Sequence, residues 1–106
     1  MPDDIENLLL RLIGGDRTAP AEIRDRARTC DSPSLLVAAA LITDENEGQL
    51  MARAGACAAS SRDRQLVAVA AAHLGHNDDL LDALVRDHLA DHPDNLLAAW
   101  IAAKHR

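Results

Sequence analysis

Aromatic side chains are almost missing from this chain of 106 residues, which has no Phe, no Tyr and a single Trp at position 100. Strand-favouring residues are correspondingly scarce, and Ala and Leu, the best helix formers, are left to fill the interior. An all-α fold is expected, with small side chains letting the helices approach closely. Cysteine is also sparse. Cys30 and Cys57 form no Cys-x-x-Cys pair and no zinc-ligand spacing, so they read as two free thiols without a redox or metal role.

Positive charge is short as well. A net charge of -6 opposes binding to nucleic acid through its phosphates. The richest arginine set, Arg24, Arg26 and Arg28, is interleaved with Asp25 and lies near Glu22 and Asp31, which largely neutralise it in sequence. No apolar run reaches the 18 or more residues of a membrane span, and the Met-Pro-Asp-Asp start is the reverse of a basic leader. The expectation is a cytoplasmic protein with no membrane or nucleic-acid partner.

Catalytic patterns are absent too. Gly14-Gly15 lacks the flanks of a phosphate loop and follows a helical stretch, where glycine simply ends the helix. Ser60 and Ser61 sit in an inter-helix turn with no motif nominating a His and an acid to activate them. The chain is therefore read as a non-enzyme that uses no cofactor.

What the sequence does contain is a step of 31 residues. Ser32, Asp63 and Asp94 stand at that spacing, each placed as a helix N-cap before an apolar run: 35–40, 66–72 and 96–103. Sliding 32–62 onto 63–93 matches Leu35 with Leu66, Ala39 with Ala70, Asn46 with Asn77 and Leu50 with Leu81. Fixed periods of 20 to 50 residues are the mark of stacked helical repeats. The single domain 1–106 then divides into units 1–31, 32–62 and 63–93 and a half-unit 94–106. Turn-forming stretches at 14–16, 44–46 and 75–77 split each full unit into an αα-hairpin. Seven short helices are expected, near 3–13, 20–30, 33–43, 47–59, 63–74, 78–91 and 94–104.

The hairpin layout resembles that of the tetratricopeptide-repeat (TPR) class. Leu74-Gly75-His76-Asn77-Asp78 looks like that family's Gly-Asp turn, and His92-Pro93-Asp94-Asn95 like its closing Asp-Pro-x-Asn. The family's period is near 34 rather than 31, and its small second-helix residue is replaced here by Leu81, so the likeness is to a degenerate, TPR-like form. It implies a right-handed stack of αα-hairpins, an α-solenoid that binds proteins. The last forty residues also look like helical tails of actinobacterial proteins, and the Ala-Arg-Asp bias fits a high-GC genome.

The second helix of the third unit is amphipathic, with Leu80, Leu81, Leu84, Val85 and Leu89 on one face. The first helices are apolar on both faces, so a second stripe runs through Val37, Ala38 and Leu41 and then Val69 and Ala72, and something must cover it. In the half-unit, Leu96, Leu97, Trp100 and Ile101 leave little polar surface. These nine residues are the candidate interface, meeting a partner protein or peptide, or a second copy in a homodimer. The alternative is a metal- or ligand-dependent regulator or small enzyme using His88 and His92, which share a helical face at i,i+4. No Glu follows His88 as the zinc-peptidase motif requires, and all five histidines otherwise read as surface or helix-end groups.

Overall fold

A computed structural model describes residues 2–43 and 46–105, with side chains for 5–43 and 46–104. Among the described residues there are seven helices and no strand: α1 (Pro2–Ile13), α2 (Ala19–Ala27), α3 (Pro33–Ile42), α4 (Glu47–Cys57), α5 (Ser61–Leu74), α6 (Asp78–Asp91) and α7 (Leu96–His105). The all-α expectation holds, and α6 begins and ends where the sequence places it.

The helix starts differ from the expected caps. Ser32 precedes α3, but its side chain makes no capping bond, and Pro33 opens the helix instead. At α5 the cap is Ser60, whose Oγ accepts from the Asp63 amide at 3.1 Å, so Asp63 lies inside the first turn. Its charge there still suits the positive end of the helix dipole. At α7 the cap is Asn95, whose Oδ1 accepts from the Ala98 amide at 3.3 Å, and Asp94 falls one residue outside. In both places a competing Ser or Asn stands three residues before an amide that needs an acceptor.

Two helix ends repeat one motif. After α1 the Gly15 amide bonds the Leu12 carbonyl and the Asp16 amide that of Arg11, with Gly15 at φ 88°. After α5 the His76 amide bonds the His73 carbonyl and the Asn77 amide that of Ala72, with His76 at φ 57°. Both are Schellman closures with a left-handed residue. Helices α1 and α5 thus end alike, although only Gly15 is the residue that accepts this conformation without strain.

The core centres on α3. Leu35, Leu36, Val37, Ala38, Ala39 and Ala40 are all fully buried, so α3 is covered on every side. It packs against α2, α4, α5 and α1. Each hairpin pair, α1 with α2, α3 with α4 and α5 with α6, is in contact, and successive first helices α1, α3, α5 and α7 touch in turn. One further contact is decisive for the shape: α7 also packs against α1. The two ends of the series meet. The radius of gyration, 12.6 Å, and the extents of 32 × 26 × 25 Å are those of a nearly isometric body, close to the roughly 13 Å expected for a compact chain of this length.

Candidate functional site

The Ala98 amide, donating to Asn95 Oδ1, caps the start of α7. Leu97, Ala98 and Ile101 turn inward and are buried, while Leu96 remains 36% exposed and Trp100 is half-buried. The Lys104 ammonium lies 4.7 Å from the Trp100 ring centroid, a cation–π contact on the outer side of the helix. The nine expected interface residues therefore separate. Val37, Ala38, Val69, Ala72, Leu97 and Ile101 are interior and Leu41 is half-buried, so the apolar stripe on the first helices is covered by the chain's own neighbouring helices. Leu96 and Trp100 reach the surface.

Beside Leu96 lies a cleft of about 290 Å³ where α1 and α7 meet. Its apolar lining is Ile5 and Leu9 from α1 with Leu96 and Leu97 from α7, and its charged lining is Glu6, Asp94 and Arg62. Ile5, Leu9 and Arg62 were not among the residues expected from sequence. Their part depends on a contact between the two ends of the helix series, and no local pattern reports it.

The histidine pair is not disposed for metal. His88 lies in the last turn of α6, the helix-end place expected of it, but it is 1% exposed rather than at the surface. Its Nδ1 lies 2.8 Å from Gln65 Oε1 and its Nε2 lies 2.7 Å from Asn95 Nδ2. An amide oxygen only accepts and an amide nitrogen only donates, so the imidazole is the neutral Nδ1–H tautomer, giving a proton to Gln65 and accepting one from Asn95. Both ring nitrogens are thereby engaged. Burial is the largest influence holding the His88 pKa below the ordinary 6.5, and the nearby His92 and Arg62 charges act in the same direction. His92 stacks at 5.1 Å between ring centroids, tilted by 37°, at the end of α6. Among the described residues no group of three or more His, Cys, Asp or Glu is gathered to hold a metal ion.

The signal for His88 was present in the sequence. It lies seven residues beyond Leu81, on the buried stripe of α6, while Leu80, assigned to that face, is 46% exposed. Cys30 and Cys57 are both free and half-buried. Among the described residues no helix is long and apolar enough to cross a membrane.

No family model, curated protein or solved structure matches this chain.

Proposed function

We propose that this chain is a non-catalytic protein-interaction module, a TPR-like right-handed stack of αα-hairpins whose ends close on each other, and that it pairs with a second copy of itself across the α1–α7 cleft. The observation that carries this reading is Leu96, a large apolar side chain left 36% exposed at a cleft lined by Ile5, Leu9 and Leu97. Half-buried Trp100, one turn further along α7, adds the kind of anchor that interfaces favour.

The charges of the cleft suggest the occupant. Arg62 carries one sign and Glu6 and Asp94 the other, so a two-fold-related copy can set its own acids against Arg62 and its own arginine against the acids. The like turns after α1 and α5 support the repeat origin.

Mass by light scattering over a micromolar dilution series tests the proposal. A concentration-dependent dimer is expected, weakened in Leu96→Asp, whose exposed position lets the variant fold. A wild-type mass that stays monomeric at every concentration overturns it.

A further inference from the structure

A second cleft, of about 250 Å³, opens on a different part of the molecule between α2, the end of α3 and the start of α4. Its apolar lining is Ala27, Ala39 and Leu50, all buried. Three arginines line it: Arg24 on α2, Arg28 at the C-cap of that helix, and Arg53 from α4. They gather although the protein as a whole is acidic. The sequence groups Arg24, Arg26 and Arg28 among neutralising acids, but folding puts two of them in this cleft and brings Arg53 from 25 residues away.

Two of the guanidiniums are fixed by the backbone. Arg24 donates through Nη2 to the Ile42 carbonyl at 2.8 Å, and Arg53 donates through Nη1 to Ala27 at 2.7 Å and through Nη2 to Cys30 at 3.3 Å. These bonds satisfy the carboxyl ends of α3 and α2 and hold the cations in place. A guanidinium has five N–H donors, so each retains more than the backbone takes. Among the described residues the one carboxylate in ion-pair range of the three is Asp31, itself 81% exposed and 3.7 Å from Arg53. Asp44 and Glu45 lie outside the described residues. The amino end of α4 also meets the cleft at Asn46, whose side chain makes no capping bond, and its first amides add positive potential.

We propose that this cleft binds the phosphate group of a small phosphomonoester, with Arg24, Arg28 and Arg53 as its ligands. Three cations around one depression suit a doubly charged group with three oxygens better than a single carboxylate. The volume leaves room for a short carbon chain beside the phosphate, against Ala39 and Leu50.

The test is a titration of the ¹⁵N-labelled full chain with inorganic phosphate, glycerol phosphate and acetate, at constant ionic strength made up with sodium chloride. Saturable shifts are expected at the amides of residues 46–48 and at the Nε–H of the three arginines, with both phosphates binding at least tenfold more tightly than acetate. Arg28→Gln, which removes the one of the three whose guanidinium meets no backbone carbonyl among the described residues, is expected to weaken phosphate binding about tenfold and leave distant amides unmoved. Acetate binding as tightly as phosphate overturns the ligand class. Shifts that fail to saturate, or phosphate affinity unchanged in Arg28→Gln, overturn the site.

Discussion

The polar groups between α5, α6 and α7 and those between α2, α3 and α4 use their hydrogen bonds in opposite ways. In the first region His88 gives its one proton to Gln65 and accepts one from Asn95, and Asn95 uses its oxygen to cap α7. Among the described residues no buried side-chain nitrogen or oxygen lacks a partner. A closed network of this kind joins three helices and specifies their register. In the second region the arginines meet backbone carbonyls and retain donors at an open cleft. The difference separates polar residues that hold the fold from polar residues available to a ligand.

Breaking the closed network is expected to have the largest effect. Asn95→Ala removes a helix cap and leaves His88 Nε2 buried without a donor, and the two losses together are expected to lower stability by about 2–4 kcal/mol in urea unfolding. Arg28→Gln in the open region is expected to leave the unfolding midpoint unchanged. Equal losses in the two variants would erase the distinction.

The pH dependence sharpens the same contrast. Folded His88 binds a proton less readily than the unfolded chain does, because burial and neighbouring cations hold its pKa down. Its contribution is therefore complete above the ordinary value of 6.5 and is lost as pH falls through that value toward the folded pKa. Melting temperature is expected to decline across this window in the wild type and to decline less in His88→Gln. Parallel curves would show that His88 is not the group responsible.

A backbone comparison gives a smaller effect of opposite sign. Gly15 and His76 occupy the same place in two Schellman closures, but His76 carries a side chain at φ 57°. His76→Gly is expected to stabilise the chain by about 1 kcal/mol, since it removes the left-handed cost. A destabilised variant would mean that the His76 side chain has a role in the turn.

The smallest expected effect belongs to Arg11, an arginine whose partners are carboxylates. It bonds Asp16 at 2.8 Å, Glu22 at 3.0 Å and the Thr18 hydroxyl at 2.7 Å at the surface. The Arg11 guanidinium holds both carboxyls below their ordinary range, so their contribution is present above that range and lost as pH falls through it. Arg11→Met is expected to change stability little at neutral pH and to flatten the acid side of the profile, because solvent screens an exposed pair. A large neutral-pH loss would place this cluster with the closed network.

Local pattern made the helices legible and left their assembly largely hidden. Leu66, Val69 and Ala70 announced a buried first helix, and the bounds of α6 follow from its apolar period and flanking turn residues. The repeat shows that the face carrying Val37 and Val69 needs a cover, and leaves open whether a partner or the curl of the stack itself supplies it. Contact between α1 and α7 gives an inside one, and such a contact joins residues nearly a hundred positions apart without leaving a periodic trace. The burial of His88 at the helix end is hidden for a related reason: an imidazole reads as polar until a specific donor and acceptor, here Asn95 and Gln65, are brought to it. The three-arginine cleft was hidden because Arg24 and Arg28 are surrounded in sequence by acids, of which the fold turns Glu22 to Arg11 and leaves Asp31 beside Arg53.

Self-pairing through α7 is most directly tested by isotope-filtered nuclear Overhauser spectroscopy on a mixture of labelled and unlabelled chains. Intermolecular contacts from the Leu96 methyls and the Trp100 ring to Ile5 and Leu9 are expected. A spectrum without intermolecular contacts, from a sample that is monomeric by mass at the same concentration, would contradict it.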